Sequence, residues 1–215
     1  MTYLDLINGV LRRLRETAVT TANETSYSAL VGELVNDAKK QTERTHEWTA
    51  LRSTVTFPTV IGTATYALTG TSQSSIFKQA MNETSKQYVR HRNLSFFNDN
   101  TVLATNPDGS PTDFMFSGTN ATGELLIKVY PTPSAVETLR FDLVIPQADL
   151  DADSTRLTIP SNPVLQMAYA MALRERGETG GQSAIEQLSV ANDALSDSIA
   201  LDANRYQDEL YFYRV

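Results

Sequence analysis

Cysteine is missing altogether from the 215-residue chain, which removes disulfide frameworks and thiolate metal sites together. Histidine occurs only twice, and neither residue is placed to recruit a metal. His46 closes a charge-rich helical pattern, and His91 lies between Arg90 and Arg92, where positive neighbours oppose a further cation. No eighteen apolar residues run together, so no membrane-spanning helix is expected. The N-terminus opens on a helical pattern rather than the basic-then-apolar order of a secretion signal. Positive charge is scarce as well: 18 Lys and Arg against 25 Asp and Glu give a net charge of −7 and a pI near 4.9. That argues against gripping DNA through its phosphates but leaves open a surface past which DNA slides.

Signatures of catalysis are also lacking. There is no G-x-S-x-G elbow and no H-E-x-x-H pair. Asp149, Asp151 and Asp153 follow the first half of a calcium loop, but Ser154 stands at the sharp-turn glycine and Pro160 at the bidentate glutamate, so the run reads as an acidic surface loop. Gly118 and Gly123 have phosphate-loop spacing, yet Glu124 follows where lysine is needed, which makes this a hairpin turn. Lys86, Arg90, His91 and Arg92, with Tyr88 among them, are the one concentrated basic patch; it reads as a solvated strand face, with nucleic acid or an acidic neighbour as the functional alternative. Asn82 and Asn120 lie in glycosylation sequons that carry no meaning without a secretion signal. The expectation is a non-enzymatic protein without metal or cofactor.

What the chain does have is periodicity. Thr2 and Asp5 stand three apart as a capping pair, and Leu4, Ile7, Leu11 and Leu14 follow at helical spacing, with Arg12, Arg13 and Arg15 near the negative helix end. A second helix is predicted from about Ser26 to His46, with Leu30, Leu34, Val35, Ala38 and Thr45 on one side and Lys39, Lys40, Glu43 and Arg44 on the other. The polar run Thr17 to Thr25 is the loop between them, and Trp48 and Leu51 lead into strands. From Ser53 to Ile159 the period falls to two. Val55 and Phe57, then Ala64, Tyr66 and Leu68, suggest a hairpin across Pro58 and Gly62. Leu125, Ile127 and Val129, followed across Pro131 and Pro133 by Leu139, Phe141, Leu143 and Ile145, suggest a half-buried antiparallel pair. Shorter strands are predicted at 87–92, 112–117 and 155–159, and a helical turn over 93–99.

The last third returns to helices. One starts at Ser161 or Asn162, with Pro163 in its first position, and stops at Arg174, Arg176 and Gly177. Its face of Leu165, Ala168, Met171 and Ala172 reads as core. After Gly180 and Gly181 a long helix carries Ile185, Leu188, Leu195, Ile199, Tyr206 and Leu210 in phase. Its opposite side is acidic, with Glu186, Asp193, Asp197, Asp202, Asp208 and Glu209 against Arg205 and Arg214. The chain closes on Tyr211, Phe212 and Tyr213. Covering three rings of about 150–250 Å² each is worth on the order of 10 kcal/mol before ordering costs, so this tail either folds back on its own domain or inserts into a neighbour. The expected fold is α+β: a four-helix bundle formed by N- and C-terminal helix pairs at 1–52 and 161–215, with an antiparallel β domain at 53–160 inserted between them.

Two stretches carry a family likeness. The run from Arg174 to Val215, with RERGE, a glycine break and a helix ending ALSDSIALDANRYQDELYFYRV, resembles the C-terminal part of head-to-tail adaptor, or connector, proteins of tailed bacteriophages, of the podophage type. TYLDLINGVLRRLRE followed by LVNDAKKQTERTHEWTALRSTVTF is similar to the N-terminal part of the same family. The resemblance implies a virion structural protein without catalytic activity, made in the host cytoplasm and resident at the head–tail interface. It implies a ring, usually dodecameric, beneath the portal protein, which extends the DNA channel and offers a platform to the tail nozzle or tail tube. DNA passes such a ring without specific binding, and no membrane is involved. Carried onto this chain, Tyr206, Leu210, Tyr211, Phe212 and Tyr213 are the expected portal or neighbour contacts. Asp193, Asp197 and Asp202 are a candidate channel wall, against an ordinary solvated face. The alternative class is a ligand- or carbohydrate-binding β module of a tail component, using Tyr66 and Tyr88 among threonine-rich strands.

Overall fold

The structure is a computed structural model that describes residues 1–177 and 182–205, the side chains of 182–184 excepted. The chain separates into two compact units, Met1–Leu51 with Gln147–Val215, and Arg52–Pro146.

The first unit is helical. Helix α1 (Tyr3–Arg13) begins with the predicted capping box: Asp5 N–H donates to the Thr2 hydroxyl at 3.2 Å, and Thr2 N–H donates to the Asp5 carboxylate at 3.0 Å. Helix α2 (Ser26–Thr45) is capped in the same way by Thr25 and Ser28, each backbone N–H bonding the other's hydroxyl at 3.0 Å. A short 3-10 turn follows at Thr49–Leu51. Helix α4 (Ser161–Glu175) has no side-chain cap. Ser161 and Asn162 already lie inside its first turn, so neither is free to accept from the N–H groups ahead of it. It ends where predicted, with Gly177 at φ +83°. Helix α5 (Gln182–Ala203) packs against α4, which also packs against α1 and α2. At the α1–α2 crossing Gly32 leaves room for the Tyr3 hydroxyl, which occupies the space a Cβ would need.

The second unit holds ten strands and the remaining helix. Strands β1 (Arg52–Pro58), β10 (Thr138–Val144), β3 (Ile76–Asn82) and β4 (Gln87–Tyr88) make one antiparallel sheet in that order. A second sheet runs β2 (Thr65–Ala67), β8 (Leu125–Tyr130), β7 (Asp113–Thr119), β5 (Arg90–His91), its last pair parallel. A third, parallel pair joins β6 (Asp108–Gly109) to β9 (Thr132–Pro133). The two larger sheets share one core, in which Leu68, Ala80, Phe114, Ile127, Val129, Leu139, Phe141 and Leu143 are buried. Phe114 and Phe141 meet edge-on with ring centroids 5.0 Å apart, a geometry that adds about 0.5–1.5 kcal/mol to their area burial.

The expected four-helix bundle with an inserted antiparallel β domain is therefore corrected. Among the described residues the chain has five α-helices and ten strands in three sheets. Helix α3 (Leu94–Thr101) is the fifth, lying among the strands with Asn93 accepting from Phe96 N–H at 3.0 Å and Phe97 buried. The predicted hairpin across Pro58 and Gly62 does not form, because β1 and β2 enter different sheets. Nor do β8 and β10 pair with each other: the segment between them, rich in proline, supplies β9 to β6 instead of turning back. Both strands nevertheless aim their predicted apolar rows into the common core. The strand expected at 155–159 reduces to one isolated bridge, Thr2 to Arg156.

Candidate functional site

One carboxylate fixes the C-terminal end of α5. Asp202 is 4% exposed, and it accepts from the Thr49 N–H at 2.9 Å and from the Thr49 hydroxyl at 2.5 Å. His46 Nε2 lies 3.1 Å and Arg205 Nη1 3.3 Å from its oxygens. Thr49 opens the 3-10 turn, so Asp202 caps that turn from a different helix. Burial works to raise the carboxyl, but the hydrogen bonds from Thr49 and then His46 outweigh it and hold the group below the ordinary aspartate range. The His46 ring stands edge-on to the buried Trp48, centroids 5.0 Å apart.

Among its described side chains α5 buries Ala191, Ala194, Ser198 and Asp202, while α4 buries Ala168 and Ala172; small side chains allow such helices to approach closely. The apolar row read from the sequence lies beside that face. Leu195 and Ile199 are half-buried, whereas Ile185 and Leu188 are exposed at 70% and 46%. With Gln41, Met167, Ala170, Met171 and Arg174, the latter two line a groove of about 410 Å³. Asp193 and Asp197 are exposed on α5, and Asp202, the third member of the candidate wall, is turned inward as described. Tyr206, Leu210, Tyr211, Phe212 and Tyr213 lie outside the described residues.

A second charged cluster sits on α2. Lys39, read from the sequence as an outward residue, has no exposed surface, and Glu43 is 6% exposed. Lys39 Nζ donates to the carbonyls of Gln147 and Ala148 at 2.5 and 3.0 Å and lies 3.7 Å from Glu43. Glu43 in turn accepts from the Gln147 N–H at 3.2 Å. Burial pulls the Lys39 ammonium down against the opposing pull of Glu43, and burial pushes the Glu43 carboxyl up against Lys39. The signal for this pair is phase: Val31, Val35, Lys39 and Glu43 follow at steps of four.

Other sequence candidates are absorbed by structure. In the basic patch, Arg90 and Arg92 both pair with the buried Asp113, at 3.4 and 2.7 Å, and the His91 ring stacks on Phe114 with centroids 5.1 Å apart. Tyr88 is 70% exposed. Asp149 pairs with Lys40 at 2.9 Å, and Asp153 accepts from the Ala22 N–H at 2.8 Å. No three His, Asp or Glu side chains among the described residues converge as metal ligands. Gly118 and Gly123 flank the β7–β8 turn at positive φ, where Asn120 Oδ1 accepts from the N–H groups of Thr122 and Glu124. Among the described residues no helix is long and apolar enough to cross a membrane.

Compared with known proteins, residues 1–211 match the family model described as SU10 adaptor protein. No curated protein matches the chain.

Proposed function

The chain belongs to the SU10 adaptor protein family, structural adaptors of the phage head–tail junction, and from that premise we propose that copies of it close into a ring joining the portal vertex to the tail. The observation that carries this reading is the family match over residues 1–211, which spans both helical segments and all ten strands. The ring, of twelve copies, extends the DNA channel and seats the nozzle or tube of a podophage-type tail. The terminal aromatics Tyr211, Phe212 and Tyr213, with Tyr206 and Leu210, make the portal or neighbour contact. Asp193 and Asp197, exposed on α5, supply a negative wall along which DNA slides without adhering, and Asp202 holds the end of that helix through Thr49.

The test is the mass in solution, by light scattering, of the chain alone and mixed with the portal protein encoded in the same genome. The expected result is a stoichiometric ring on the portal, counted by electron microscopy, that is lost on deletion of Asp208 to Val215. A chain that ignores the portal at micromolar concentration refutes the ring. For the wall, Asp193→Asn with Asp197→Asn is expected to slow DNA ejection and change its salt dependence; an unchanged ejection rate rejects that role.

A further inference from the structure

Helix α5 keeps an apolar corner that its own unit leaves open. Ile185 and Leu188 are 70% and 46% exposed where the helix runs beside α4, and with Met167, Met171 and Arg174 of α4 they line the groove of about 410 Å³. Apolar side chains gathered in a concavity mark a docking site, which the same side chains scattered singly do not. Met167 and Met171 are half-buried, and their unbranched thioethers adapt to an aromatic ring laid against them. Arg174 is exposed at the groove and makes no ion pair among the described residues. The groove is thus matched to aromatic rings that arrive with negative charge.

The sequence beyond α5 has that composition. From Asp208 it reads DELYFY, two acids and then Leu210 with three aromatics. Length and charge both oppose its reaching the groove of its own copy. From Leu188 to Ala203, where α5 ends, is about 22 Å of helix at roughly 1.5 Å per residue. The chain from Arg205 to Phe212 spans at most about 23–25 Å at roughly 3.3–3.6 Å per residue, so it would have to run straight, with no slack to bend across the helix. That path also carries Asp208 and Glu209 along α5, which holds Glu186, Asp193, Asp197 and Asp202 and no Lys or Arg, and like charges repel. A tail entering from outside meets neither constraint and brings its acids to Arg174.

We propose that the α4–α5 groove receives residues 208–213 of a second copy of this chain; the proposal rests on the ring reading above and names the neighbour contact within it. The aromatic rings fill the space against Met167, Met171, Ile185 and Leu188, and Asp208 and Glu209 face Arg174. Groove and tail are different surfaces of one chain, so each copy gives its tail to the next and takes one from the copy before. Such a head-to-tail contact closes a ring when the rotation between copies closes, and closure makes every contact hold the others in place.

Cross-linking of the full chain tests the proposal, because the chain has no cysteine of its own. Gln41→Cys, at an exposed position lining the groove, and Arg214→Cys, next to the aromatics, leave the apolar contacts intact. Rings of the double variant assembled on the portal and treated with a short bismaleimide are expected to give a ladder of linked copies on a denaturing gel. Rings mixed from the two single variants are expected to give linked pairs only. A monomer closed on itself overturns the proposal in favour of the chain's own tail, and a ring without any 41–214 link overturns it in favour of another occupant. Arg174→Glu is expected to weaken ring formation roughly tenfold, and Asp208→Lys with Glu209→Lys to restore it; failure of the rescue also counts against the pairing. Leu188→Asp, with its fold checked by Trp48 fluorescence, is expected to abolish closure, and if it fails to fold the cross-link still decides. A chain that never closes on the portal sinks the ring reading and this proposal with it, whereas a ring that forms without the link, or is indifferent to Leu188→Asp, sinks this proposal alone.

Discussion

Replacing Lys39 by Met tests whether a buried charge pair fixes α2 to the segment that begins at Gln147. The substitution strands the Glu43 carboxylate and leaves the carbonyls of Gln147 and Ala148 without their donor. Breaking a buried pair from one side costs about 3–5 kcal/mol, a large share of a domain's ~5–15 kcal/mol. Glu43→Leu strands the ammonium and is expected to cost a similar amount. The double variant removes both charges and leaves the Gln147 and Ala148 carbonyls and the Gln147 N–H without their side-chain partners. The second substitution removes the charge that the first one strands, so the cost of the pair is expected to fall short of the sum of the single costs. Urea unfolding followed by fluorescence of Trp48 measures this in the right place, since it is the chain's only tryptophan and is buried with its indole N–H on the Thr42 carbonyl at 2.9 Å. The pH dependence has a fixed sign. Burial already pushes the Glu43 carboxyl up, with Lys39 pulling it down, so in Lys39→Met it rises further. A raised carboxyl contributes stability that is complete below the unfolded value of about 4.3 and is lost as pH climbs through the folded value. Lys39→Met is thus expected to be more stable at pH 5 than at pH 8. Single and double effects additive within ~0.5 kcal/mol, or a Lys39→Met cost below ~1 kcal/mol, would refute the reasoning.

Asp202→Ala removes the cap on Thr49 and a charge-assisted contact, and is expected to cost about 2–3 kcal/mol by the same fluorescence assay. Because the Asp202 carboxyl is held below its ordinary range, its contribution is present above about pH 4 and fades as pH falls through the folded value, so the variant should lose that part of the acid unfolding limb. Gly32→Ala forces the Tyr3 hydroxyl aside; overpacking of about 1–3 kcal/mol exceeds the gain of about 1 kcal/mol in helix propensity, and a stabilised variant in urea would contradict the close approach. Phe141→Ala, at a fully buried site between the two large sheets, is expected to cost about 3–5 kcal/mol, read by calorimetry.

Local rules are legible in the sequence where they depend on neighbours in the chain. The Thr2–Asp5 capping box, the Gly177 stop and the alternating rows of β8 and β10 all appear as read. Pairing is not legible, because alternation says which face a side chain takes and nothing about which strand lies alongside. Ile127 and Phe141 show the difference: their rows point into one core, yet from separate sheets. Lys39 and Glu43 mislead because their residue type argues for solvent, whereas their helical phase is that of the buried Val31 and Val35. Asp202 reads as one acid in a solvated row; its partners, His46 and Thr49, lie 156 and 153 positions away, and no local pattern joins them.

The caps on the helices set a timetable for synthesis. Both α1 and α2 carry their own start signals in Thr2–Asp5 and Thr25–Ser28, so they can take shape as soon as they clear the ribosome. Helix α4, which lacks a side-chain cap and against which both pack, follows after a further ~115 residues, a lag of roughly 6–23 s at about 5–20 residues per second. During that interval Leu6, Ile7, Val31 and Val35, destined for full burial, have no α4 to cover them. Until α4 is made, the nascent chain therefore presents these residues to any chaperone that recognises apolar helices.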